Sequence, residues 1–196
     1  REPLSRHTSF QIGGPAALFC EPQNKRQLAR AIAVCRQAGV RYYLLGKGTN
    51  ILFADEGFDG VVIHIGEMLG NIECNGLSVT AQAGAALAKV CIAAANEGLS
   101  GLEFAYGIPG CVGGAVYMNA GAYGSEMKNV VTSVRVMDRE GEIHVLDNEQ
   151  MEFGYRTSCV ARLDYVVLEA VMALEPGDAG EIRARMDDLA ARRREK

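Results

Sequence analysis

The chain has 196 residues, enough for one large domain or two small ones. With 48% hydrophobic and 22% charged residues it can bury a core and is not disordered by composition. Its 20 basic and 24 acidic side chains give a net charge of −4, which argues against a general nucleic-acid binder, and no apolar run approaches the roughly 18 residues of a membrane span.

In chain order, Thr8 to Cys20 predicts a strand, a Gly13-Gly14-Pro15 turn and a second strand. Asn24 with Gln27 reads as a capping box for a helix. Leu28, Ala31, Ile32 and Cys35 fall on one face of it, and Gly39 closes it. Tyr42–Leu45 is a short apolar strand, 46–50 a loop, and Ile51–Ala54 and Val61–Ile65 further strands. This βαβ order makes residues 1–65 a small α/β subdomain.

Residues 66–174 read as a second subdomain. Asn71–Cys74 and Leu77–Ala81 form a hairpin around Asn75-Gly76. Leu87, Val90, Cys91 and Ala94 mark a helix ended by Gly98, and Val112–Asn119 a second, glycine-containing helix. Strands follow at 130–138 and 142–147, with a last strand over Tyr165–Leu174. Glu175–Asp178 reads as a linker into a helix over Glu181–Arg194, with Ile182, Met186 and Leu189 on one face, so that 175–196 stands apart as a linking helix whose apolar face is left exposed.

The six cysteines show no CxxC spacing, and His7, His64 and His144 are isolated, so no metal site is expected. The cysteines read as free thiols of a reducing compartment. No Ser-His-Asp arrangement is evident, and Lys89, Lys128 and Glu103 read as solvated.

The 23 glycines exceed the usual ~7%, and they cluster. Gly46-Lys47-Gly48-Thr49-Asn50 follows a strand directly. It lacks the Walker pattern, and neither a third glycine nor a helix follows as in a dinucleotide fold. It is either a diphosphate cradle or a tight turn. The second cluster runs from Gly107-Ile108-Pro109-Gly110 through Gly113-Gly114 to Ala120-Gly121-Ala122-Tyr123-Gly124. So many glycines suit backbone lying against a rigid ligand or a helix N-terminus meeting a phosphate; a Gly-rich packing site is the alternative. Two such segments in different halves of the chain suggest one long ligand shared by both, and a dinucleotide such as FAD has that length. Arg156, in Tyr155-Arg156-Thr157-Ser158, either grips a carboxylate bidentately or forms a surface salt bridge.

Four blocks together resemble the UDP-N-acetylenolpyruvoylglucosamine reductase family: Thr8 to Ala16, Leu45 to Leu52, Gly101 to Gly124, and Tyr155 to Ser158. The resemblance implies an α+β fold of two α/β subdomains, the vanillyl-alcohol oxidase or PCMH-type FAD-binding fold. It implies non-covalent FAD, with Gly46, Lys47, Gly48, Thr49 and Asn50 on its diphosphate. Gly107, Ile108, Pro109, Gly110, Gly113, Gly114, Ala120, Gly121, Tyr123 and Gly124 are implied along the flavin and its ribityl arm. It implies NADPH as reductant and UDP-N-acetylglucosamine enolpyruvate as substrate, the enolpyruvyl C3 taking hydride and C2 a proton to give UDP-N-acetylmuramate for peptidoglycan. Tyr155 and Arg156 are then substrate-binding, with Arg156 catalytic, holding the carboxylate and offsetting enolate-like charge. A cytoplasmic location without membrane or nucleic-acid partners is implied; the pattern specifies no oligomeric state.

Thr49 stands where the family commonly has Ser, and Cys111 where it has Thr or Ser. The family's serine proton donor and glutamate belong to a third, substrate-binding domain. They are expected beyond Lys196, so the chain is read as the flavin-binding part and as inactive alone; Ser125 and Ser158 are not the proton donor's equivalents. A stand-alone FAD-binding module is the alternative, and a flavin tethered through Cys111 a further one.

Overall fold

The computed structural model describes residues 1–195. Two compact units emerge, Arg1–Leu69 and Gly70–Lys196. The first boundary lies four residues beyond the expected one.

The first unit contains β1 (Glu2–Pro3), β2 (Pro15–Cys20), α1 (Lys25–Gln37), β3 (Tyr42–Leu45) and β4 (Phe58–His64). Its sheet order is β1-β2-β4-β3. Strand β4 is central and parallel to both β2 and β3, while β1 is antiparallel to β2. Asn24 caps α1 by accepting from the Gln27 amide at 2.9 Å. Gln27 returns its side chain to the amide of Gln23 at 2.8 Å, one residue short of a true capping box. Leu28, Ile32 and Cys35 form the buried face, Leu28 alone contributing about 1.5–3 kcal/mol of apolar burial. Leu4, Ala16, Leu45, Phe53 and Val62 make a compact core flanked by Phe19, Ile51 and Phe58.

Two expected strands are not strands. Residues 8–14 and 51–57 are irregular, and their backbones bond to each other and to the start of the chain. Gly14 N donates to Ala54 O at 2.9 Å, and Leu4 N to Gly14 O at 3.1 Å. A Cβ on Gly14 would stand 2.0 Å from Asp55 O, so glycine there lets two chain segments touch. The apolar run 51–54 exists to drop Phe53 into the core, not to join a ladder.

The second unit contains β5 (Ile72–Asn75), β6 (Ser78–Gln82), α2 (Leu87–Asn96), β7 (Leu99–Ser100), α3 (Val112–Tyr117), β8 (Gly121–Ala122) and β9 (Ser125–Glu126). It continues with β10 (Val131–Met137), β11 (Ile143–Asp147), α4 (Cys159–Leu163), β12 (Val166–Ala173), β13 (Glu175–Pro176) and α5 (Ala179–Arg194). The main sheet is antiparallel, in the order β11-β10-β12-β6-β5. On β12 Leu168, Ala170 and Met172 are buried, while Glu169, between the first two, meets Arg135 of β10 at 3.1 Å. Helices α2 and α3 pack against this sheet.

The stretch read as a linker is structural. Glu175–Pro176 pairs with Leu99–Ser100, and Asp178 caps α5 through the Glu181 amide at 2.9 Å. Helix α5 belongs to the second unit and packs on α2 and on the turn at 103–105. Ile182, Met186 and Leu189, expected to be exposed, are buried. No helix among the described residues is long and apolar enough to cross a membrane.

Candidate functional site

Loop 46–50 leaves β3 with Lys47 and Asn50 exposed, Gly46 and Thr49 half-buried, and Gly48 buried. Gly48 has φ +60, and a Cβ on it would lie 1.9 Å from His7 O. Its own carbonyl accepts from Ser9 N at 3.0 Å. Glycine at 48 is therefore fixed by backbone packing behind the loop, which leaves the exposed donors of Lys47 and Asn50 in front. That donor set suits a diphosphate.

In the second unit the Gly-rich segment wraps the start of α3. Leu87 N donates to Gly110 O at 3.1 Å, and Ala86 bridges Cys111. Val112 N and Gly113 N donate to Ala85 O at 2.9 Å and Ala83 O at 2.8 Å. The expectation that this helix N-terminus meets a phosphate is thus corrected for its first two amides, which serve the β6–α2 connection. Helix α3 is also shorter than expected, ending at Tyr117. Gly114 is exposed, and a Cβ there would find nothing nearer than the Cys111 sulfur at 3.9 Å. Gly110 has φ +152, and Ile108 and Pro109 lie half-buried and exposed beside it.

Several glycines serve the scaffold. Gly107 faces Ala190 and Arg193 of α5, with a Cβ position 3.5 Å from Ala190 Cα. Gly121 would bring a Cβ within 2.7 Å of Ser125 O in the β8–β9 hairpin. Tyr123 and Gly124 are the two central residues of that hairpin, both with positive φ, +55 and +82, as a type I′ turn requires. Ala120 is buried and accepts from Met127 N at 2.9 Å.

Tyr155 and Arg156 form the tip of a two-residue turn closed by Gly154 and Thr157, whose amides and carbonyls bond reciprocally at 3.0 and 3.3 Å. Arg156 has φ +56, a region that non-glycine residues rarely take. Tyr155 is 90% exposed, with the Arg156 guanidinium 5.8 Å from its ring centroid. Among the described residues no carboxylate pairs with Arg156. The turn is tied to α3 by two side chains that the sequence reading missed. Asn119, 2% exposed, donates to Gly154 O at 3.0 Å, and Ser158, 3% exposed, donates to Tyr117 O at 2.9 Å.

The three histidines are not isolated in space. His7 meets Glu2 at 3.0 Å, His64 meets Glu21 at 2.6 Å, and His144 meets Asp138 at 2.6 Å. Glu103 is also not simply solvated: it is half-buried and accepts from Ser100 Oγ at 2.7 Å and Gly101 N at 2.8 Å. All six cysteines are free, and Cys111 is 3% exposed. No group of three or more His, Cys, Asp or Glu among the described residues is arranged to hold a metal ion.

The chain matches the FAD binding domain family over residues 16–147. It is 46% identical over 192 residues to UDP-N-acetylenolpyruvoylglucosamine reductase of Clostridioides difficile, covering 98% of this chain and 63% of that protein. It is 45% identical over 195 residues to the reductase of the same name from Caldanaerobacter subterraneus, covering 100% of this chain and 64% of that one. The chain thus spans less than two thirds of the length of these curated relatives. Its fold is similar to the crystal structure of UDP-N-acetylenolpyruvylglucosamine reductase from Thermus caldophilus, with a TM-score of 0.85, 34% identity, and coverage of 99% of this chain and 68% of that one.

Proposed function

The chain belongs to the UDP-N-acetylenolpyruvoylglucosamine reductase family and carries its FAD-binding domain, and from that premise we propose that it serves the reduction of UDP-N-acetylglucosamine enolpyruvate to UDP-N-acetylmuramate. The observation that carries this reading is Arg156: an exposed guanidinium with no carboxylate partner among the described residues, at the tip of a turn with φ +56, in the same unit as the glycine-rich segment 107–124.

The residues present fit FAD. Lys47, Thr49 and Asn50, with the backbone of Gly46 and Gly48, would hold the diphosphate. Ile108, Pro109, Gly110, Gly113 and Gly114 would lie along the flavin and ribityl arm, with open space at Gly114 where a side chain would intrude. Gly107, Ala120, Gly121, Tyr123 and Gly124 shape that surface more than they touch it, since their glycines and turn conformations answer to neighbouring protein atoms. Bound there, FAD would supply the redox chemistry, hydride transfer to C3 of the enolpyruvyl group, with NADPH as the proposed reductant.

The chain's own contribution is positional and electrostatic. Arg156 would take the substrate carboxylate in a two-point grip and offset negative charge as it develops on that carboxylate during hydride transfer. Tyr155 would cover the bound group from the solvent side. A peptidoglycan precursor as substrate goes with a cytoplasmic protein.

The test is FAD titration of the purified protein, followed by calorimetric titration of the loaded protein with the enolpyruvyl substrate. Uptake of FAD together with substrate binding that is lost in Arg156→Ala supports the reading. Uptake of FAD without substrate binding points to an FAD-binding module, and failure of a folded chain to take up FAD rejects both.

A further inference from the structure

We propose that Asn119 and Ser158 are positioning residues that seat the Tyr155–Arg156 tip on helix α3, so that the guanidinium meets the carboxylate of the enolpyruvyl substrate. The identity of that anion rests on the reductase reading above; the clamp itself does not.

Asn119 is buried, and both ends of its amide are used. Nδ2 donates to Gly154 O at 3.0 Å and Oδ1 accepts from Lys128 N at 2.9 Å. One side chain thereby joins three segments: the end of α3, the turn at 127–129, and the first residue of the Arg156 turn. Its own φ of +43 is one that Asn tolerates better than most residues. Removing the amide takes one of two donors from the Gly154 carbonyl and the partner from the Lys128 N–H at once, which makes it a fixture and not an incidental contact.

Ser158 carries an independent observation. It occupies the N-cap position of α4, where serine ordinarily caps its own helix. Here the hydroxyl makes no cap. It donates instead across 41 residues to Tyr117 O, the last carbonyl of α3. The helix forgoes its cap so that the turn gains a tether. The two tethers lie on either side of the 154–157 turn, at Gly154 and at Ser158. Neither side chain bonds the guanidinium, so each acts through the backbone that carries it.

The experiment compares Ser158→Ala, Ser158→Thr and Asn119→Asp with the parent protein. Three readouts are taken: backbone 15N order at Tyr155, Arg156 and Thr157; FAD affinity; and calorimetric affinity for UDP-N-acetylglucosamine enolpyruvate. The expected result is rigid order near 0.85 at the tip in the parent and Ser158→Thr, falling below about 0.6 in Ser158→Ala and in Asn119→Asp at pH 8. Substrate affinity falls about tenfold in the two loosened variants while FAD affinity stays within about twofold. In Asn119→Asp the tip regains order and affinity as pH falls through the buried carboxyl's pKa, because the protonated acid again donates to Gly154 O. Ser158→Ala, which brings in no titratable group, should show no such recovery, so the pH response is specific to position 119. Unchanged tip order in Ser158→Ala and Asn119→Asp overturns the clamp, and a loosened tip with unchanged substrate affinity overturns the positioning role. A parent protein that takes no FAD rejects the reductase reading alone, and tip order with calorimetry still judges the inference.

Discussion

The carbonyl oxygen of His7 occupies the space that a side chain at Gly48 would need, 1.9 Å from the Cβ position. The start of the chain thus backs the loop proposed to hold a diphosphate, and Ser9 N closes the contact on Gly48 O at 3.0 Å.

Gly48→Ala is therefore expected to cost the first unit at least about 2 kcal/mol, since it combines a left-handed backbone with a collision against main chain. Gly39 is the control in the same unit, with φ +63 but nothing within 4 Å of its Cβ position. Gly39→Ala should cost only about 1 kcal/mol. Urea unfolding of the two variants separates clash from conformation; equal losses would show that the His7 contact yields.

Arg156→Ala should leave FAD affinity within about twofold and weaken binding of the enolpyruvyl substrate by about 10–100-fold, the scale of losing hydrogen bonds to a charged group. Arg156→Lys should recover little, because an ammonium cannot form the two-point grip. Calorimetry beside FAD titration reads both; a variant that keeps full substrate affinity removes Arg156 from the carboxylate grip.

The glycine pattern marked where to look but not what each glycine does. Gly48, Gly107, Gly113 and Gly121 each meet protein atoms close behind them, so their density in the chain reports tight backbone packing as much as a ligand surface. Helix α1 and the β5–β6 hairpin were legible, because the Asn24 cap and the Gly76 turn are local signals. Residues 51–54 were not, because an apolar run looks the same whether it joins a ladder or lowers one Phe into a core. Asn119, Ser158 and the His64–Glu21 pair escaped for a different reason: His64 finds Glu21 across 43 residues, Ser158 finds Tyr117 across 41 and Asn119 finds Gly154 across 35, and such pairings exist only once the chain has folded.

Burial pushes the Cys91 thiol up to about 12, with Glu103 nearby adding to the shift. At pH 8 its thiolate is then on the order of one part in ten thousand. Iodoacetamide labelling of the native protein, read by mass spectrometry, should modify the half-exposed Cys20 and Cys74 well before Cys91, whose Sγ also donates to Leu102 O. Early labelling of Cys91 would mean that α2 opens readily from the turn at 103–105.

Asp138 titrates below the usual carboxylate value of 3.8, chiefly because His144 donates to it, with the amides of Glu142 and Glu140 helping. A depressed folded pKa gives stability that is present above the unfolded value and lost as pH falls through the folded one. The β10–β11 hairpin should therefore lose this contribution only in acid, below about pH 4. His144→Ala should move the Asp138 titration upward in a carboxyl 13C NMR experiment. An unmoved titration would assign the shift to the two backbone amides.

The visible absorbance spectrum of the purified chain, followed by titration with FAD, tests the central claim most directly. The expected result is a flavin spectrum, acquired or carried through purification, with the flavin released intact as FAD on denaturation. A chain shown by circular dichroism to be folded that neither carries nor takes up FAD would contradict it.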